Sequence, residues 1–259
     1  MNTESKILAR ALGGEVLEDV LIIDVHVHWG KWLCMHLPSA EEGIVQKMES
    51  TGVSKSCING ILNPDVAEGN DQVAAASKRY PDKIIGFAAL NPYHPTRMID
   101  ELRRCVEDLG MKGLKVHQMV SAPAYSPFPI DPLDAEWIEV WKYLNERELP
   151  VLWHGIVSEE VIKQFPRVPF IMAHGSSSPQ SFHKLAHYPN FHIETASTQN
   201  TRWFMREAVE ALGPERILWG TDAPLDDFAH RWGFVLDSDL SEDEQRLVLG
   251  GNAARLLKL

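Results

Sequence analysis

Two imidazoles at alternate positions, closing an apolar run, define the chemistry open to this chain. The run Leu21-Ile22-Ile23-Asp24-Val25-His26-Val27-His28-Trp29-Gly30 is apolar and β-branched, which predicts a buried strand. Side chains alternate across a strand, so His26 and His28 share a face and can converge on one ion. A single buried histidine is ordinarily a hydrogen-bonded core residue. Two on one face, in apolar surroundings, need partners the surroundings do not supply, and a metal ion satisfies both.

Other apolar runs end in similar residues. Gly113-Leu114-Lys115-Val116-His117 puts Lys115 and His117 on one face. Pro150-Val151-Leu152-Trp153-His154-Gly155 ends in His154, and Val168-Pro169-Phe170-Ile171-Met172-Ala173-His174-Gly175 ends in His174. Arg216-Ile217-Leu218-Trp219-Gly220-Thr221-Asp222 ends in Asp222. One polar residue at a strand end is ordinary capping or loop chemistry. Five strands ending in metal-capable side chains form a pattern, and imidazoles with a carboxylate match zinc, with manganese, iron or cobalt also compatible.

The elements that must hold these residues alternate along the chain. Apolar runs fall at 21–28, 53–59, 84–90, 112–117, 150–154, 168–174, 190–195 and 216–221. Amphipathic stretches fall between them, at 39–50, 70–79, 96–109, 134–147, 158–164, 179–186 and 201–212, with another from 241. Ser39 with Glu42, and Ser158 ahead of Val161, read as helix starts, and Gly110 and Gly213 as stops. Eight strand–helix units in 259 residues predict one α/β domain, a parallel (β/α)8 TIM barrel, with an open doubly wound sheet as the second architecture. Residues 1–18 form an N-terminal helical segment, helical over about 3–12, that closes the barrel bottom or packs beside it, and 19–259 form the barrel. Barrel enzymes build their sites at the C-terminal ends of the strands, where these polar residues gather.

Composition narrows the class. A formal charge of −11 argues against nucleic acid or an anionic membrane surface as the main partner, without excluding an anionic substrate. The polar start, Met1 to Arg10, has no signal-peptide core, and no stretch has the ~18 apolar residues of a membrane span. Three cysteines, Cys34, Cys57 and Cys105, show neither paired metal spacing nor an even count, so reduced thiols in the cytoplasm are expected. A small molecule is the expected partner, with self-association into a homo-oligomer left open.

The segments DVHVHWG, GLKVHQ, PVLWHG, IMAHG, LWGTDAP and GGNAARLL, in this order from about residue 20 to the C-terminus, resemble the amidohydrolase superfamily. The likeness is to its amidohydrolase-2 branch, which includes the aminocarboxymuconate semialdehyde decarboxylase and γ-resorcylate decarboxylase relatives. The resemblance implies one divalent metal, zinc first, held by His26, His28, His154 and Asp222. It also implies that His174 hydrogen-bonds the metal's water and moves protons. Binuclear members carry a carboxylated lysine on strand four. Lys115 lies on that strand, one layer below His117, so a single metal is expected, with His117 or Lys115 touching substrate. Purely structural roles are weighed beside these: Lys115 as a buried cation paired with Asp24, Asn252 as the cap of the last helix, and His183, His187 and His192 at the surface. Glu194 is open between the barrel mouth and packing or loop capping.

The expected activity is hydrolysis of a small amide, ester or lactone by a metal-activated water. Asp222 serves as ligand and base, and His174 delivers a proton. The alternative is non-oxidative decarboxylation of an aromatic or unsaturated acid. Hydrolysis is placed first because the decarboxylase relatives are longer, with larger loop insertions over the mouth. A metal-binding barrel without catalysis is the third reading. Candidate selectors of substrate are Trp29, Lys31, Trp32, His36, Gln118, Tyr125, Arg202, Asp226 and Arg231, of which Lys31, Arg202 and Arg231 can bind a carboxylate. The Pro-rich segment Ser121 to Pro132 is long enough to cover the site.

Overall fold

Strands and helices alternate through the chain as the pattern of apolar runs requires. A computed structural model describes residues 5–30, 41–92, 94, 96–117, 131–155, 158–175, 179–196 and 202–259. Helix α1 (Lys6–Leu12) precedes β1 (Ile23–His28), α2 (Glu41–Thr51), β2 (Lys55–Asn59), α3 (Val66–Arg79) and β3 (Ile84–Ala89). Next come α4 (Met98–Arg103), β4 (Gly113–His117), α5 (Ala135–Arg147), β5 (Val151–His154), α6 (Glu159–Gln164) and β6 (Phe170–Met172). The chain ends with α7 (Pro179–Leu185), β7 (Phe191–Glu194), α8 (Arg202–Leu212), β8 (Ile217–Leu218), α9 (Phe228–Leu236), α10 (Glu242–Arg246) and α11 (Asn252–Leu257). π-Helical turns extend α4 over Arg104–Asp108 and join α10 to α11 over Leu247–Gly251.

The eight strands pair in chain order, each parallel to the next, giving the TIM barrel. Alternation along each strand sorts the apolar side chains into two cores. Val116, Trp153, Phe170, Ile193 and Ile217 pack outward in the large cluster shared with the helices. Ile23, Val25, Cys57, Phe87, Leu152, Ile171 and Leu218 fill the barrel, joined by Ala253 and Leu257 from α11. Helix α1 therefore packs beside the barrel: Ile7 joins the outer core and Ser5 Oγ donates to Gln245 Oε1 at 2.8 Å.

Local chemistry sets the helix ends. Ser158 Oγ accepts from Val161 N, and Gly110 and Gly213 take φ of 72° and 78° past the ends of the α4 turn and α8. Asp65 caps α3 through Ala67 N and Glu68 N, so this helix starts earlier than its apolar periodicity suggests. Asn252 does not cap the last helix. It is fully buried and donates to the carbonyls of Pro214 (2.7 Å) and Ile217 (2.8 Å), tying α11 to β8. His192 is also buried, facing the Asn190 carbonyl, whereas His183 and His187 are at the surface, as expected.

Two irregularities shape the mouth. Pairing of β1 with β2 shifts by one residue between Asp24↔Ser56 and Val27↔Ile58, a bulge that re-aims the strand. Val25 therefore points into the barrel below the bulge, as His26 and His28 do at and beyond it, and Asp24 does not share their face. The second is the short β8, because residues 219–223 leave β7 and bond to β1. Val25 N donates to Trp219 O (3.1 Å), Asp222 N to His26 O (2.8 Å) and His28 N to Ala223 O (2.8 Å).

Asp24 clamps this seam. Its Oδ1 accepts from His26 N and Thr221 N, and Thr221 Oγ1 donates to its Oδ2 at 2.5 Å while accepting from Ala223 N. Thr221→Val keeps the shape but strands a buried Asp24 oxygen and the Ala223 N–H. The expected loss is about 2–3 kcal/mol of unfolding free energy, read from urea midpoints; a loss below about 0.5 kcal/mol would remove the clamp from the account.

Candidate metal centre

The ends of β1, β5, β6 and the β8 continuation bring four imidazoles and one carboxylate together. Asp222 Oδ1 lies 3.2 Å from His26 Nε2 and 3.0 Å from His28 Nε2. One ligating atom each from His26, His174 and Asp222 lies within 4.8 Å of the other two. His154 presents Nδ1 to His174 Nε2 at 3.1 Å, and its ring stacks on His117 with centroids 3.8 Å apart.

Hydrogen bonds on the far side of three rings fix their tautomers. Asn59 Nδ2 donates to Val27 O, so its Oδ1 is the atom facing His28 Nδ1 at 3.1 Å, and that nitrogen must donate. Glu194 Oε1 faces His26 Nδ1 at 3.0 Å, and the Ala196 carbonyl faces His174 Nδ1 at 2.9 Å. Each Nδ1 carries the proton, so the Nε2 atoms of His26, His28 and His174 present lone pairs. Two of these confront the Asp222 oxygen. Lys115 Nζ, 2.6 Å from His26 Nε2, meets one of these lone pairs, and the His28 lone pair facing the carboxylate calls for a proton or a metal cation between them.

Burial disfavours the proton. It pushes the His26 and His28 imidazoles below their ordinary value, and for His26 the nearby Lys115 adds to the effect. The half-buried pair behaves alike: burial and His117 take His154 down to about 2, and burial and Lys115 take His117 down to about 3. Burial alone would raise the Asp222 carboxyl, yet the surrounding His26, His28 and His174 hold it well below the carboxylate range. Neutral nitrogens around one carboxylate oxygen make a donor set that fits a divalent transition metal.

The backbone is forced to make this set. His174 and Asp222 adopt φ of 55° and 70°, a region that L side chains rarely occupy and that clusters at functional sites. Gly220 is needed because a Cβ there would collide with Glu194 Oε2 and sit 3.1 Å from His26 Cβ.

The remaining sequence candidates fall in several places. Lys115 is fully buried and donates to His26 Nε2 at 2.6 Å, so the pairing with Asp24 does not form; the bulge takes Asp24 off that face. Burial lowers the Lys115 ammonium to about 8, against the pull of Asp222 and Glu194. Trp29 is buried within the outer core, and the buried Arg231 guanidinium pairs with Asp226. Lys31, Trp32, His36, Ser39, Gln118, Tyr125, the Glu42 and Arg202 side chains and all but the last two residues of Ser121 to Pro132 lie outside the described residues. Sequence reasoning left Glu194 undecided and did not find Asn59, although both orient imidazoles. The legible signal was a carboxylate or amide at a strand end, Glu194 on β7 and Asn59 on β2.

Comparison with known proteins places this geometry in a family. The amidohydrolase family model matches residues 58–259. The γ-resorcylate decarboxylase of Rhizobium sp. (strain MTP-10005) is 25% identical over 247 aligned positions, covering 73% of this chain and 75% of that protein. A 2,6-dihydroxybenzoate decarboxylase complexed with 2,6-dihydroxybenzoate superimposes with a TM-score of 0.76 at 18% identity, over 93% of this chain and 100% of that one. The dihydroxybenzoic acid decarboxylase of Polaromonas sp. JS666, with bound manganese and the inhibitor 2-nitroresorcinol, gives 0.76 at 19% identity, over 93% and 97%. At these identities the solved structures establish the shared fold. Among the described residues no helix is long and apolar enough to cross a membrane.

Purified protein is expected to carry about one equivalent of a divalent transition metal by elemental analysis. The double variant His26→Ala, His28→Ala should carry none. Full occupancy in that variant would remove β1 from the site.

Proposed function

The chain belongs to the amidohydrolase family, and we propose that it is a metal-dependent carboxy-lyase that removes the carboxyl group of an aromatic or unsaturated acid without oxidation. The observation that carries this reading is the alignment with γ-resorcylate decarboxylase along three quarters of that protein's length, at 75%. Hydrolysis of an amide, ester or lactone, expected from the short chain, gives way to it. Chain length reports loop insertions over the mouth, whereas the reaction is selected by the groups beneath them.

We assign the metal to His26, His28, His154 and Asp222, with zinc, manganese, iron or cobalt compatible with these nitrogen and oxygen donors. When bound, the cation supplies a positive charge that draws in the substrate's oxygens and stabilises charge building up as the carboxyl group leaves. His154 Nδ1 lies 3.1 Å from His174 Nε2; with its own proton on Nε2, His154 would offer Nδ1 to the metal, leaving His174 Nε2 to hold a proton taken from water. That makes His174 the proton source. Asp222, within 4.8 Å of it and held low by the imidazoles, passes a proton on rather than keeping it. The bond between ring carbon and carboxylate breaks, its electron pair stays on the carbon, the carbon takes the proton, and CO2 departs. His117, stacked on His154, and Lys115, whose amine reaches His26 Nε2, are proposed to touch the substrate. Arg202 and Arg231 are proposed to shape its binding, Arg231 as a positive charge held in place by Asp226, whereas Trp29, buried in the outer core, is not.

Metal-loaded protein incubated with 2,6-dihydroxybenzoate and a panel of related aryl acids in D2O should release CO2 and place one deuterium on the ring carbon that held the carboxylate. His174→Asn should keep its metal and lose turnover by ~10²-fold or more. Cleavage of aryl esters or lactones with no CO2 from any acid would return the hydrolase reading.

A further inference from the structure

Glu194 ends β7 fully buried, and three N–H groups point at it. Its Oε1 accepts from His26 Nδ1 at 3.0 Å and from the His174 backbone N at 2.8 Å, and its Oε2 accepts from Ala196 N. The two backbone N–H groups donate one to each oxygen and favour the ionised form, against burial, which pushes this carboxyl up. A single oxygen thus touches two histidines of the centre by different means, one through its ring and the other through its backbone. That backbone is the His174 residue at φ 55°. The seat for Glu194 is built from both sides, since a side chain at residue 220 would occupy the space of its Oε2.

The three tautomer-fixing acceptors differ in charge. His28 faces an amide oxygen and His174 a carbonyl, whereas His26 faces a full carboxylate. A charged acceptor on Nδ1 raises the basicity of Nε2 on the other side of the ring. We propose that Glu194 is a positioning residue of this centre: it commits His26 to the Nδ1–H tautomer, makes His26 Nε2 the strongest nitrogen donor, and pins the His174 backbone in its left-handed turn. The role of Gly220 follows, as the residue that leaves room for the carboxylate. The proposal rests on the metal-centre reading, and its test has an arm that needs no metal.

In metal-free, histidine-labelled protein carrying Lys115→Met, which removes the ammonium that donates to His26 Nε2, nitrogen NMR should show His26 as the Nδ1–H tautomer. Glu194→Ala should shift it toward a mixture and weaken cation affinity, titrated with Mn2+ or Zn2+, about 10–100-fold. Glu194→Gln keeps an oxygen for His26 Nδ1 without the charge, so the tautomer should persist while affinity falls about tenfold or less. Gly220→Ala should reproduce the Glu194→Ala pattern by displacing the carboxylate. Asn252→Ala, a buried loss with no imidazole contact, should lower stability and leave cation affinity unchanged. An unshifted His26 tautomer in Glu194→Ala, or an equal loss of affinity in Asn252→Ala, overturns the proposal. If Glu194→Ala does not fold, Glu194→Gln and Gly220→Ala decide it on the same two readouts. If the wild-type chain takes up no cation, the metal reading fails and the tautomer arm still decides the role of Glu194.

Discussion

The mouth of this barrel is organised by the fact that an imidazole has two nitrogens and only one of them can hold the proton of a neutral ring. Asn59, Glu194 and the Ala196 carbonyl each take the Nδ1 proton of one histidine. The lone pairs of His26, His28 and His174 are thereby turned inward; two of them meet an ionised carboxylate oxygen, and that of His26 also takes a hydrogen bond from Lys115. Burial denies them water and makes protonation costly. A cation relieves that arrangement, and the bulge in β1, the left-handed residues and the buried acids can be read as the means of holding it.

Those means are distributed across the fold. The bulge turns two consecutive residues of β1 inward and places Asp24 at the seam, where it ties the β8 continuation to β1. The same continuation carries Asp222, so closing the barrel and delivering the carboxylate are one structural event. Left-handed backbone at His174 and Asp222 costs of order 1–3 kcal/mol each. It persists because Glu194 holds the N–H of His174, and because Asp222 N donates to the His26 carbonyl.

Much of this was legible in the sequence. Alternating apolar and amphipathic runs predicted eight strands in a parallel barrel, and histidines or an aspartate at run ends marked the face that carries the site. What periodicity could not reveal was the extra residue in β1, because a bulge leaves no mark in an apolar run. Periodicity alone left a pairing of Lys115 with Asp24 open as an alternative, which the bulge removes, since Lys115 reaches His26 instead. Asn252 and His192 were misjudged for a related reason: a polar residue near a helix start or a strand start resembles a cap or a surface group until tertiary carbonyls are seen around it. The preference for hydrolysis came from chain length, which is insensitive to the groups that choose between water attack and loss of CO2.

The central claim is that these convergent lone pairs hold a cation, and anomalous diffraction from crystals grown with Mn2+ or Zn2+ tests it most directly. The account predicts one anomalous peak at the barrel mouth, about 2.0–2.2 Å from His26 Nε2, His28 Nε2 and an Asp222 oxygen. It would be contradicted by a map with no peak there while the three side chains keep their direct contacts, or by one whose only peak lies away from β1.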